Sequence, residues 1–402
     1  MTTTRQRTSH AAGFWIVATS FLLVMAYSTV PTPLYPLYQE QDGFPVSVVT
    51  VVFAAYAVGV VFSLFFVGHI SDWAGRRRML VIAVLVSILS AVLFLVWSSV
   101  AGLIVARLVN GVSIGILTAT ATAHLGELRA KARPDENGIV AASVAGAANL
   151  GGLALGPLIG GLFAEFLPDP LILPHAVFLV LLIIAAIVLM SVPETVNVSA
   201  DERPPYRPQR LSAPPSARRP VIAAAFGAFS GFALFGLFTS LAPTFLVGTF
   251  DDRDHLAAGA TSFAVFAAAA VGQLVFARVA VRTQLAVAIG CCAVGLVAVA
   301  SGAVLPQLAI FILGGIIAGV GVGLLFKSAI ATAAAVASPG RRSETLALVF
   351  LSGYCGLAIP VLAVGFFLTF AEQTTVLLVF SALVLIATVS AGLVMRSRKA
   401  TT

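Results

Sequence analysis

Few residues in this chain are equipped for chemistry, and those that are lie inside or beside long apolar runs. Arg107 stands in Arg107-Leu-Val-Asn110-Gly111, and Lys327 in Gly319-Val-Gly-Val-Gly-Leu-Leu-Phe-Lys327. Each is about eight residues from the end of its run, roughly 12 Å deep at the helical rise. A cation at that depth costs several kcal/mol in hydrocarbon unless it meets water or a partner. Arg107 either bonds carbonyls of a broken helix or lines a cavity, where it binds substrate or influences a proton site. Lys327 either snorkels to the interface or stands in the same cavity and exchanges protons. His124 and Glu127, one helical turn apart, are further candidates for proton handling beside Asp72 and Lys327. Histidine titrates in the physiological range, although near an interface it also serves as a hydrogen-bonded structural residue. All sixteen acidic residues fall in loops or near the ends of the runs, so no carboxylate is available at mid-depth.

Other chemistries find no footing. There is no Ser/His/Asp grouping, no His-rich stretch and no metal-ligand spacing. Cys291, Cys292 and Cys355 all sit in apolar runs, where they read as small packing residues. The glycines before Lys327 lack the strand–helix setting of a nucleotide loop. The sequence therefore predicts neither an enzyme nor a cofactor or metal site.

The elements that must position these residues follow from composition. Of 402 residues, 59% are hydrophobic and 10% charged, with a mean hydropathy of +1.05. Soluble domains carry about 25% charged residues, and runs of about 18 apolar residues, each enough to span a bilayer, recur along the whole chain. The first, Ala11–Leu37, is too long for a signal-peptide core of roughly 7–15 residues. Its Pro31-Thr-Pro-Leu-Tyr-Pro36 ending predicts a kink. Runs two to six lie between Val46 and Val192 and precede Val196–Pro220, which holds six prolines and five arginines and reads as a flexible linker. Six more follow, from Val221 to Met395. The predicted fold class is an all-α integral membrane protein with twelve transmembrane helices in two six-helix bundles. Its parts are an N-terminal tail (1–10), a first bundle (11–192), a linker (193–220), a second bundle (221–395) and a C-terminal tail (396–402). The net charge of +7 is explained without nucleic acid. With both termini cytoplasmic, 20 of the 23 Lys and Arg fall on the cytoplasmic side, leaving Arg253 outside and Arg107 and Lys327 within. The expected setting is a bacterial cytoplasmic membrane crossed many times by a monomer, with lipid and a small-molecule substrate as its partners.

One turn organises the chain. Gly68-His-Ile-Ser-Asp72-Trp-Ala-Gly75-Arg76-Arg77-Arg78-Met-Leu80 joins the second and third runs. It closely resembles motif A of the major facilitator superfamily, with Gly68, Asp72, Gly75, Arg76, Arg77 and Leu80 on the pattern. Arg107, Asn110 and Gly111 resemble that family's motif B, with Asn110 in place of Gln. Gly152-Leu-Ala-Leu-Gly156-Pro157-Leu-Ile-Gly160-Gly161 resembles the end of motif C, a feature of its antiporters. Pro33-Leu-Tyr-Pro36 matches the close of a first-helix pattern in its twelve-helix drug exporters. Internal repetition is faint: Gly111-x-x-x-Gly115 answers Gly315-x-x-x-Gly319-x-x-x-Gly323, and Gly272–Arg282 looks like an eroded motif A.

The resemblance implies a rocker-switch transporter, powered by the proton gradient, that exports small amphipathic compounds. The alternative on the same fold is a proton-coupled importer of a small organic acid or sugar, with Arg107 and Lys327 as anion ligands. On the exporter reading, motif C is expected to seal the outer side at a seam between the halves. Asp72 is expected to meet the start of the eleventh helix near Ser343, and Arg76 to pair with acidic groups such as Glu194. By analogy with the fold, Tyr27, Tyr56, Asn149, Phe235, Phe238, Gln273, Phe326 and Tyr354 are expected in the cavity wall.

Overall fold

In hydrocarbon every backbone N–H and C=O must be satisfied within the chain, so each apolar run folds as a helix. The computed structural model describes residues 8–68, 70–196, 206–337 and 341–397. The first seven residues of the N-terminal tail, linker residues 197–205 and the C-terminal tail from 398 lie outside the described residues. The first half comprises α1 (His10–Thr29), α2 (Val46–Phe66), α3 (Arg76–Val96), α4 (Val100–Ala132), α5 (Ile139–Phe166) and α6 (Leu173–Leu189). The second comprises α7 (Arg218–Gly236), α8 (His255–Val275), α9 (Val281–Val304), α10 (Leu308–Val336), α11 (Arg342–Phe367) and α12 (Gln373–Arg396). Eleven of these spans are long and apolar enough to cross a membrane; α6, at 17 residues, is an apolar but shorter twelfth, reaching about 26 Å at 1.5 Å per residue. Thr8, linker residues 206–217 and Ser397 lie at one end of the bundle, the terminal end; the opposite end is the far end.

Both leading helices break near the far end. Pro31 and Pro33 stop α1 as expected, and the chain passes through a 3-10 turn (Thr32–Leu34) into a short helix, Tyr35–Asp42. In α7 the break is a π turn, Leu237–Leu241, followed by Ala242–Phe250 with Pro243 at its start. α7 itself begins at Arg218 rather than after Pro220. Pro220 then falls in the first turn, where its missing N–H has no partner to lose.

Small residues fix the packing, and they do so the same way in each half. A side chain at Gly111 would overlap the Tyr56 carbonyl oxygen, and one at Gly115 would crowd Ser63, so α4 lies directly on α2. Gly319 and Gly323 bring α10 equally close to the α8 backbone at Val265 and Ala269. Likewise α5 presses on α1 and α11 on α7, with Gly356 against the Phe229 carbonyl.

Candidate functional site

At the far end the two halves meet through backbone. A side chain at Gly259 of α8 would overlap the Pro157 carbonyl of α5, and a Cβ at Gly161 would lie 2.7 Å from the His255 carbonyl oxygen. On the other flank Gly365 of α11 abuts Thr50 of α2. The Glu165 carboxylate accepts from the His255 backbone N–H at 3.1 Å, placing negative charge at the start of α8, where the helix dipole favours it. The motif C glycines are not all in this seam. Gly152, Gly156 and Gly160 face the α1 backbone at Leu22, Ala26 and Val30, inside the first half. Only Pro157 and Gly161 look across to the second. The sequence signalled close approach on α5 but not that two faces of the helix make it, each with its own partner.

Below this seal lies a cavity of about 240 Å³ between the halves. Of the eight expected wall residues, Tyr56, Asn149, Phe235, Gln273, Phe326 and Tyr354 line it. Tyr27 and Phe238 do not. Tyr27 turns toward α6, and Phe238 packs on Phe311 of α10 with ring centroids 5.3 Å apart. Residues the sequence reading missed complete the wall, among them Thr118, Thr122, Phe232, Phe266 and Phe350. The run Phe226, Phe229, Phe232, Phe235, Phe238 was a usable signal. A step of three residues falls about 60° short of a full turn, so these rings spiral around α7. Phe226 and Phe229 line an apolar groove beside α11 and α12, Phe232 and Phe235 face the cavity, and Phe238 enters the core.

Arg107 stands in the cavity wall, 1% exposed. Its Nη1 donates to the Ser28 carbonyl at 2.6 Å, just before α1 breaks, and its guanidinium lies 4.6 Å from the Tyr56 ring centre and 5.7 Å from that of Phe53. Arg107 thus both bonds a carbonyl beside the break in the first helix and lines the cavity. Its Nε has no partner among the described residues, nor does the side-chain amide of Asn110, one turn along. A second space, of about 360 Å³, runs toward the terminal end between α5, α8 and α10 as far as Ile139 and Ala277. It shares Ala142, Gly146, Gln273 and Phe326 with the first, and Lys327 lines it. The Lys327 ammonium donates to the Gln273 carbonyl at 2.7 Å, and Gln273 is itself anchored by donating to Gly323 O at 3.0 Å.

The motif A turn builds a charged network at the terminal end, wholly within the first half. Gly75 has φ +104, a conformation that favours glycine, and its bare α-carbon leaves room for the Glu194 carboxylate. Glu194 accepts from the backbone N–H of Arg76 at 2.8 Å and of Arg77 at 3.2 Å, capping α3. The expected pairing of Arg76 with Glu194 is therefore through backbone. The Arg76 guanidinium goes to Glu127 at 3.1 Å and to Asp72 at 2.5 Å. Asp72 is engaged by this i,i+4 pair in its own turn, and no hydrogen bond joins it to the described residues of α11. Arg77 donates to the Val192 carbonyl at 3.3 Å. His124, fully buried, sits 3.1 Å from the Pro193 carbonyl. A carbonyl only accepts, so Nε2 carries the proton and His124 ties α4 to the chain after α6.

One buried cluster escaped the sequence reading. His175 of α6 is fully buried, with Nδ1 3.2 Å from the Tyr27 hydroxyl and Nε2 3.3 Å from that of Tyr38. Its ring stacks on Phe94 at 4.5 Å. In the neutral ring one nitrogen donates and the other accepts, so the two tyrosines take opposite roles. Histidine near a helix end carries no periodic signal, and three sequence-distant partners left nothing to find.

The sequence pattern of the Major Facilitator Superfamily matches residues 16–305. Among solved structures, the fold is similar to that of the human organic anion transporter MFSD10 (TETRAN), with a TM-score of 0.67 and 17% identity over 95% of this chain and 99% of that one. It is similar also to a point-mutant form of the nucleoside transporter NupG, with a TM-score of 0.72 and 12% identity over the same shares. No curated protein matches the chain in sequence. A twelve-helix bundle with a cavity between similarly packed halves agrees with the family match over most of the chain: the protein is a multi-pass membrane transporter of the Major Facilitator Superfamily.

Proposed function

We propose that the chain is a proton-coupled secondary transporter that exports small amphipathic compounds by alternating access. It works as a monomer in a bacterial cytoplasmic membrane, with the terminal end in the cytoplasm. The observation that carries this reading is the aromatic space between the halves, closed by backbone contact at the far end and continued toward the terminal end past Lys327. The distribution of Lys and Arg supports the orientation. In this conformation the protein faces the cytoplasm. The motif A network is held inside the first half, and Asp72 has yet to engage α11. The motif C resemblance favours export, and motif A closes the cytoplasmic side once the halves rock.

The solved relatives differ in what their names say they carry, so the cavity itself has to discriminate. Arg107 and Lys327, with no carboxylate among the described wall residues, favour a second reading, a proton-coupled importer of small organic acids. Everted vesicles with an acidified interior and a pH-sensitive dye decide between them. Proton release that requires both the protein and an added amphipathic antimicrobial is the result expected of the exporter. Silence across a broad panel with folded protein, together with growth rescue on one organic acid, would replace it with the importer.

A further inference from the structure

We infer that the compound this cavity accepts is an amphipathic organic anion, bound with its carboxylate against Arg107 and its apolar part among the rings of Phe232, Phe235, Phe266 and Phe326. This rests on the transport reading but on neither direction of transport.

The cavity holds an uncompensated charge. Arginine keeps its proton at any physiological pH. Arg107 is 1% exposed and uses one donor on the Ser28 carbonyl, while its Nε has no partner among the described residues. The Tyr56 and Phe53 rings beside it offer their faces, a weak interaction compared with a counter-ion. No Asp or Glu among the described residues lines the cavity or the space leading to it. Glu127, which shares α4 with Arg107, and Glu165, on α5, are committed elsewhere. Glu127 is bonded to Arg76 and Thr195 at the terminal end, and Glu165 to the start of α8 at the far end.

The charge along the way in has the same sign. Lys327 has three donors and satisfies one of them on the Gln273 carbonyl. A cationic compound would pass one like charge to reach another in a low-dielectric space. A neutral one would leave Arg107 as it is. An anion is drawn in past Lys327 and completes the guanidinium, whose planar fork suits a carboxylate. The uncharged polar groups of the wall among the described residues are Thr29, Thr118, Thr122, Thr239, Asn149, Gln273 and two tyrosines. The four threonine hydroxyls already donate to backbone carbonyls, so the aromatic wall suits a flat hydrocarbon body better than a polyol.

A matched pair of probes tests this: 1-naphthaleneacetate, ionised at pH 7, and the neutral isostere 1-naphthaleneacetamide. Binding to the full-length purified chain in lipid nanodiscs is measured by calorimetry, and exchange by counterflow in proteoliposomes. The wild-type protein is expected to bind and exchange the acid at least about tenfold better than the amide, the effect of one charge-assisted contact. Arg107→Gln should bring the two within about twofold of each other, and Arg107→Lys should keep part of the preference. Equal handling of acid and amide by the wild type would overturn the inference and leave the transport reading standing. Failure of both probes would overturn the reading of an amphipath cavity, and the inference with it. The wild-type ratio needs no variant, so loss of folding in Arg107→Gln does not blunt the test.

Discussion

The two ends of the bundle are built from opposite materials. At the far end the halves touch through Gly161, Gly259 and Gly365, backbone against backbone or against a single threonine. At the terminal end Asp72, Arg76, Glu127 and Glu194 form a charged, hydrogen-bonded network that never leaves the first half. The difference separates two jobs. A seam of small residues has dispersion contacts to lose and few polar groups to strand, so it can open and close at small cost. A network of capped N–H groups and ion pairs would leave buried polar atoms unpaired if broken, so it rigidifies one half as a unit. On the proposed mechanism, the seam opens and closes while the network moves as one piece.

Two substitutions, one within the first half and one across the seam, should separate the two kinds of contact most strongly. Gly156 of α5 faces α1 within the half, and Gly259 of α8 faces α5 across the seam. Gly156→Leu would overlap the Ala26 carbonyl and Thr29 and should cost about 3 kcal/mol or more by over-packing, read as a large drop in thermal unfolding temperature. Gly259→Leu, which meets Pro157 across the seam, should leave that temperature nearly unchanged and instead hold the far end apart, read as new far-end access to a membrane-impermeant thiol reagent at a cysteine introduced in place of Thr50, which is buried in the seam. Equal destabilisation by the two would mean the halves are one packing unit.

Next in size is His175→Phe. It strands the hydroxyls of Tyr27 and Tyr38 in a buried setting and should cost roughly 2–4 kcal/mol, while His175→Gln, which keeps one partner, should cost less. Glu194→Ala removes the α3 cap and should lower stability by about 1–2 kcal/mol in detergent unfolding. Asp72→Asn should be the smallest, under about 1 kcal/mol, because the Asp72 side chain is 62% exposed and its pair with Arg76 is solvated. On the proposed mechanism this same change abolishes transport without affecting membrane insertion. Full transport by Asp72→Asn would remove the gating role of motif A.

Much of the fold was legible because hydrocarbon imposes a simple rule: apolar length gives the helix, proline gives the break in α1, and Lys and Arg give the expected orientation. The breaks differ in kind, however. Pro31 and Pro33 announced the first, whereas the π turn in α7 rests on packing around Leu237–Leu241, with only Pro243 nearby to suggest it. Within the site, Arg107 and Lys327 stood out because a cation inside an apolar run is conspicuous. Aromatic wall residues were harder. Phe232 and Phe238 carry the same local pattern, and only the 60° drift of a three-residue step sends one to the cavity and the other to the core. The partners of Glu194 and His175 come from chain segments far apart in sequence, which periodicity cannot pair.

Alternating access requires the two ends to open and close in opposition. It is tested by paired spin labels in a background with Cys291, Cys292 and Cys355 replaced by alanine. One pair, Phe166→Cys with Arg253→Cys, spans the far end; the other, Ile139→Cys with Arg278→Cys, spans the terminal end. On adding 1-naphthaleneacetate and shifting pH, distance measurements in nanodiscs should show the far-end pair separating as the terminal-end pair closes. Distances that move in the same direction, or that do not move while counterflow proceeds, would contradict alternating access about this cavity.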